Sequence, residues 1–345
     1  MKNSNLVATT IQEDPQPEAA DLAAGVESAL EEHLGQRPRI RHLACRPSLY
    51  RSSFMIEDID VELEDGSMFE LVAKPTAWSA MCPEARTAKP AFIYDEEREF
   101  TVYEQTLRAL DIGAARYFGS FTTSTCGRVL LLERSDGTPL WQIGEFEAWR
   151  EAARWLARFH TGARRGSVPL RSAPRHLLQY DREFYQCWMA RALDFGTGRH
   201  DRLEQLADKY ASVVEWLMAQ PREFIHGEYY SGNILVERRP EVPFEIRTVD
   251  WEMAAVAPAL IDLANLLCGN WTDDERVDMA DTYFATIAEY GGAVPERDLY
   301  QKTLDCCLIH LAVKNLGWSR TWTPPARCAH DWLGEALRLC EKWRL

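Results

Sequence analysis

The stretch from Phe224 to Glu252, FIHGEYYSGNILVERRPEVPFEIRTVDWE, constrains this chain more than any other. Two apolar runs of strand character, Ile234-Leu235-Val236 and Ile246 to Val249, flank a turn at Arg239-Pro240-Glu241, the pattern of a hairpin. His226, Glu228 and Asn233 stand before the first run, and Asp250 follows the second. A loop, a hairpin and a second loop therefore carry Glu228, Asn233 and Asp250 toward one point. Two carboxylates and an amide oxygen there suit magnesium-assisted phosphoryl transfer. The amide and Asp250 would hold the cation against phosphate oxygens, and Glu228 would face an incoming hydroxyl.

Composition narrows the alternatives. The 345 residues can bury one large domain or two lobes around a cleft. No apolar run approaches the ~20 residues that span a bilayer. The opening MKNSNLVATTIQEDPQPEAAD has no signal-peptide core. Residues 1–20 therefore read as a disordered tail, and the chain as cytoplasmic with no membrane partner. A net charge of −14 argues against nucleic acid, because that affinity depends on Lys and Arg neutralising phosphates. The acidic balance is compatible with a cationic small substrate, although it also simply keeps a protein in solution. Nine cysteines, none in a C-x-x-C pair, read as reduced thiols without a zinc site. Lysines are few (Lys2, Lys74, Lys89, Lys209, Lys302, Lys314 and Lys342), so one at a strand position stands out.

Periodicity predicts a helix over 21–34 and strands over 39–45, 54–63 and 68–74, the last two joined at Glu64-Asp65-Gly66-Ser67. Residues 75–92 carry Pro75, Pro83 and Pro90 without a clear period and read as a long connection over the nucleotide or the acceptor. A helix follows over 95–110, then strands at 117–121 and 129–133. From Glu145 onward the chain is mainly helical, with His160 read as a packed core histidine and Gly196-Thr197-Gly198 as a turn.

Three blocks of sequence together carry a resemblance. They are His226-Gly227-Glu228-Tyr229-Tyr230-Ser231-Gly232-Asn233, Val249-Asp250-Trp251-Glu252 and Pro258-Ala259-Leu260-Ile261-Asp262-Leu263-Ala264. In that order they resemble the catalytic core of the aminoglycoside phosphotransferase and choline kinase-like family, distant relatives of the protein kinases. The family reads H-G-D-x-x-x-x-N, I-D-W/F-E and P-x-x-D-L-A. The resemblance implies an α+β, bilobal, protein kinase-like fold. A small N-lobe over 21–134 would hold an antiparallel sheet plus one helix. A larger, mostly helical C-lobe over 135–345 would hold the catalytic loop, the metal site and the acceptor.

The same resemblance implies ATP (or GTP) and Mg²⁺, and a small-molecule hydroxyl as acceptor, in a monomer or a homodimer. It assigns Glu228 and His226 to the catalytic loop, with His226 as a brace, and Asn233 and Asp250 to the metal. Lys74, in Leu71-Val72-Ala73-Lys74, takes the phosphate-holding place. Glu99 of Arg98-Glu99 is its partner, with Glu104 as the fallback. Ser52 and Ser53 fall in the phosphate-covering loop, Glu133 and Ser135 near the hinge, and Asp262 where backbone hydrogen bonds orient the catalytic loop. Acids at Asp273, Asp274, Glu275, Asp278 and Asp281 fall where the family builds its acceptor pocket.

One residue departs from the family pattern: Glu228 stands where the family has Asp. The two acids differ by only ~0.4 in unperturbed pKa, but Glu reaches one methylene further. A ~1 Å displacement can cost on the order of 100-fold in rate. Either the loop shifts so that Glu228 reaches the usual spot, or the acceptor sits further out, or transfer is lost. The functions in competition are an active small-molecule kinase, a silent nucleotide-binding pseudokinase and a kinase for a peptide Ser or Thr. Retention of Lys74, Asn233 and Asp250 favours the first.

Overall fold

The alternation over EDIDVEL is realised as strand β2 (Glu57–Leu63), where buried and half-buried residues follow one another without a break. The computed structural model describes residues 19–49, 53–110, 112–165, 176–196, 200–318, 320 and 330–345. The tail expected over 1–20 lies almost wholly outside these, as do Ser52 and the Thr197-Gly198 part of the expected turn. The chain divides into two compact units, Met1–Arg86 with Phe118–Leu132, and Thr87–Tyr117 with Glu133–Leu345.

The first unit is built on a five-stranded sheet. Strands β1 (Ile40–Pro47), β2 and β3 (Met68–Pro75) form an antiparallel meander. With β4 (Tyr117–Thr123) and β5 (Gly127–Glu133) the order is β1-β2-β3-β5-β4. The β2–β3 turn needs Gly66, whose φ of 87° is a left-handed value, and Asp65 closes it by accepting from Ser67 N at 2.9 Å. Helix α1 (Ala19–Leu34) lays Leu22, Val26 and Leu30 onto Ile59, Val61, Leu71 and Leu131, one apolar stripe against one sheet face. No side chain at Gly25 would fit, since a Cβ there would meet the Phe121 ring at 2.2 Å.

Residues 75–92 correct the sequence reading. They fold into a 3₁₀ turn (Trp78–Ala80), helix α2 (Pro83–Ala88) and a second 3₁₀ turn (Ala91–Ile93). Two of the three prolines that look like breakers act as starters, while Pro75 ends β3. Pro83 opens α2, where its missing N–H costs nothing, and Pro90 caps the second turn. The expected helix over 95–110 is also not uniform. It runs from α3 (Arg98–Thr101) through a π-helical turn (Val102–Leu107) into α4 (Arg108–Leu110).

The second unit sets two small sheets among helices. One has β6 (Thr138–Pro139), β9 (Ile234–Glu237) and β10 (Glu245–Thr248) in the order β10-β9-β6. The other has β7 (Leu178–Gln179), β8 (Glu223–Ile225) and β11 (Ala255–Ala257) in the order β7-β11-β8. The helices are α5 (Phe146–Arg165), α6 (Arg182–Phe195), α7 (His200–Met218), α8 (Leu260–Leu266), α9 (Asp273–Glu289), α10 (Arg297–Leu316) and α11 (Trp332–Trp343). Helix α10 is the axis, packed against α6, α7, α8 and α11. It buries residues on every side, which explains its weak amphipathic pattern. Among the described residues no helix is long and apolar enough to cross a membrane.

His310 sits at the centre of α10, with Nδ1 2.8 Å from the Tyr210 hydroxyl. Burial, with Lys314 one turn away, pushes its pKa down to about 3. The unfolded chain binds that proton near pH 6.5, so His310 adds stability above that value and loses it as pH falls toward 3. Between pH 7 and pH 5 the loss from this one group is about 2 kcal/mol. Urea midpoints at the two pH values measure it, and His310→Gln is expected to flatten the slope.

Candidate functional site

The site lies within the second unit and is organised by a buried carboxylate. Asp262, in the first turn of α8, is 0% exposed. Its Oδ2 accepts from His226 N at 2.7 Å and its Oδ1 from Gly227 N at 2.8 Å. Two backbone donors aimed at one anion hold the loop after β8 in a single conformation. Gly227 is obligatory within it: its φ is 84°, and a Cβ there would meet Met253 O at 2.1 Å.

His226 braces the same loop. Its Nε2 donates to Val249 O at 3.0 Å, and its Nδ1 accepts from Glu228 N at 3.3 Å. Burial lowers its pKa below the ordinary histidine value, against the opposing pull of Asp262, Asp250 and Glu228. The ring is therefore neutral at pH 7 with both nitrogens engaged, which suits a support and not a proton carrier.

The hairpin brings the remaining residues in. Strands β9 and β10 pair from Ile234↔Thr248 to Glu237↔Glu245, and Val249 N donates to Asn233 O at 3.1 Å. Asn233 and Asp250 therefore stand at adjoining strand ends. Asn233 Nδ2 donates to Glu228 O at 3.1 Å, which leaves Oδ1 as the amide's acceptor. Asp250 adopts a left-handed backbone, φ 64° and ψ 65°, one of the few non-glycine residues to tolerate it. Tyr230, 40% exposed, has its hydroxyl in the field of Glu228, Asp250 and Glu252.

The segment after Asp250 is tied down by side chains from 89–99. Glu99 Oε1 accepts from Trp251 N at 3.1 Å, Arg98 Nη1 donates to Glu252 O at 2.6 Å, and Lys89 Nζ donates to Glu252 Oε2. Glu104 is exposed on the π-helical turn. Lys74 and Ser53 belong to the first unit, where Lys74 is 5% exposed with its ammonium 5.8 Å from the Phe54 ring centre. Ser52 lies outside the described residues.

Of the acids after the core, Glu275, Asp278 and Asp281 are engaged with protein groups. Thr272 and Glu275 form a capping box at the start of α9, Asp278 pairs with Arg150, and Asp281 accepts from Tyr300 and Arg297. His160 is a core residue bonded to Tyr283 and to Asp262.

One site residue escaped the sequence reading. Lys314 of α10 places Nζ 2.7 Å from Glu228 Oε1, with the two residues 7% and 9% exposed. The signal that could have found it is the scarcity of lysine combined with an apolar helical surrounding, LIHLAVKNLGW. Glu228 Oε2 makes no protein hydrogen bond among the described residues.

A model of the phosphotransferase enzyme family matches residues 81–299. A search of curated proteins by sequence found no match. Among solved structures, choline kinase from Cryptosporidium parvum Iowa II is similar at TM-score 0.52 and 12% identity, covering 88% of this chain and 88% of that one. The microcompartment-associated aminopropanol kinase is similar at 0.51 and 14%, covering 87% and 90%. The GDP complex of wild-type aminoglycoside 2'-phosphotransferase-IIIa is similar at 0.51 and 14%, covering 91% and 96%. At these identities the likeness is one of fold, and that fold is the α+β, protein kinase-like one.

Asp262→Ala would strand the N–H groups of His226 and Gly227, at about 1–3 kcal/mol for each buried donor left unpaired. Asp262→Asn keeps one acceptor oxygen and is expected to lose less. Urea denaturation of the three proteins measures both steps.

Proposed function

We propose that this chain, which belongs to the phosphotransferase enzyme family, is a kinase that transfers the terminal phosphoryl group of ATP (or GTP) to a hydroxyl of a small molecule. The observation that carries the reading is the convergence of Glu228, Asn233 and Asp250 on one braced loop and hairpin. Phosphoryl transfer of this kind depends mainly on positioning and electrostatics. Glu228 is built for positioning: Lys314 fixes Oε1, the His226 ring holds its backbone N–H, and Oε2 is open to accept a hydroxyl hydrogen.

Asn233 Oδ1 and the Asp250 carboxylate are hard oxygen donors, the kind magnesium prefers, so these residues fit the cation. Magnesium bound there would neutralise charge on the phosphate oxygens. On the family pattern, Lys74, Glu99 and the Ser52-Ser53 loop are assigned to the nucleotide.

A second reading has one observation in its favour. Because Lys314 occupies one oxygen of Glu228, the loop could serve a nucleotide-binding protein without transfer. The open Oε2 and the retained Asn233 and Asp250 weigh toward the kinase.

Thermal unfolding with and without Mg²⁺-ATP tests the reading. At a ligand concentration of 100 Kd the expected stabilisation is ~2.7 kcal/mol, a rise of a few degrees for a chain of this size. Asp250→Ala is expected to abolish the rise. Glu228→Gln is expected to keep it while losing acceptor-dependent ADP release. Absence of any rise in the wild type would sink the proposal.

A further inference from the structure

Lys314 does more than the catalytic reading requires. An ammonium carries three donors. Glu228 Oε1 takes one, and the other two have no protein acceptor among the described residues. The Trp318 ring, 5.6 Å from Nζ, stabilises the charge without supplying an acceptor oxygen. The neighbouring wall is also short of acceptors. Trp188 of α6 stacks on Trp318 at 5.7 Å, and its buried Nε1 has no partner among the described residues. The Tyr185 hydroxyl, one turn earlier on α6, is likewise unpartnered. Its ring lies 4.7 Å from His310, whose Nε2 is also unpartnered and which sits one turn before Lys314 on α10. Buried polar groups are nearly always hydrogen-bonded, so the spare donors of Lys314, with the Trp188 N–H one ring away and without a partner among the described residues, point to a ligand that completes them. A buried ammonium with an indole N–H on the neighbouring wall asks for oxygen acceptors carrying negative charge.

We infer that the acceptor bears an oxyanion, a carboxylate or a phosphate ester, close to the hydroxyl presented to Glu228, and that Lys314 is the residue that selects it. The inference rests on the kinase reading above and narrows its acceptor. It also reverses the cationic option that the net charge left open. An acceptor ammonium would meet the like charge of Lys314, which already holds one oxygen of the carboxylate that would attract it.

The experiment measures thermal midpoints and ADP release in saturating Mg²⁺-ATP. One set of probes is the hydroxycarboxylates glycolate, glycerate and lactate; a second is glycerol phosphate and sugar phosphates; a third is choline and ethanolamine. At least one oxyanion probe is expected to raise the midpoint and drive ADP release, and whether it comes from the first or the second set identifies the anion. Lys314→Met is expected to raise the KM for that probe tenfold or more without changing the response to Mg²⁺-ATP, and Lys314→Arg to recover part of the loss. Trp188→Phe keeps a ring but removes the donor, and is expected to raise the same KM severalfold even if Lys314→Met fails to fold. ADP release driven by choline or ethanolamine in the wild type would overturn the inference. So would an oxyanion response unchanged in both Lys314→Met and Trp188→Phe, or no oxyanion response at all while Mg²⁺-ATP still stabilises. Loss of the Mg²⁺-ATP response itself would instead bring down the kinase reading.

Discussion

Asp262 is the constraint from which the site follows. A carboxylate with no exposure to water must be surrounded by donors, and the donors it takes are the consecutive backbone N–H groups of His226 and Gly227. That choice forces Gly227 into a left-handed conformation against Met253 O, and only glycine fits the space. It also turns His226 inward, where the ring links Val249 O to Glu228 N. The backbone course into Glu228 is thus decided by hydrogen bonds at the two residues before it and at its own N–H.

Glu228 and Lys314 then form a second, more local balance. Removing two charges from water is expensive, and their mutual attraction offsets that cost only with good geometry. At 2.7 Å the geometry is good. The extra methylene of glutamate becomes intelligible here, because the longer arm has a fixed cation to reach. The glutamate on the loop after β8 and the lysine on α10 therefore act as one buried pair, joined across 86 residues of sequence. Neither residue alone explains the other's burial.

The loop and hairpin were legible because their signals are local. Paired apolar runs, a proline turn and polar residues at the strand ends fix His226, Glu228, Asn233 and Asp250 within one short stretch. The sheet of the first unit was legible for the same reason, through the alternation of β2 and the Asp65-Gly66 turn. The short helices within residues 75–92 were not legible because three prolines resemble interruption in sequence, while in the fold Pro75 ends β3 and Pro83 and Pro90 start short helical turns. The π-helical turn at Val102–Leu107 has no apolar period of its own to announce it. Lys314 stayed hidden because its meaning comes from Glu228, 86 residues earlier, and no spacing rule connects them.

That separation has a consequence for how the protein is made. A ribosome releases Glu228 long before Lys314, and the chain between them includes α8, α9 and most of α10. Throughout that interval the nascent loop carries a carboxylate without its cation, so the loop has reason to remain hydrated until α10 docks. Synthesis at about 5–20 residues per second makes the wait several seconds long. The loop and hairpin can form early, and the cation that pairs with Glu228 is among the last parts of the site to arrive.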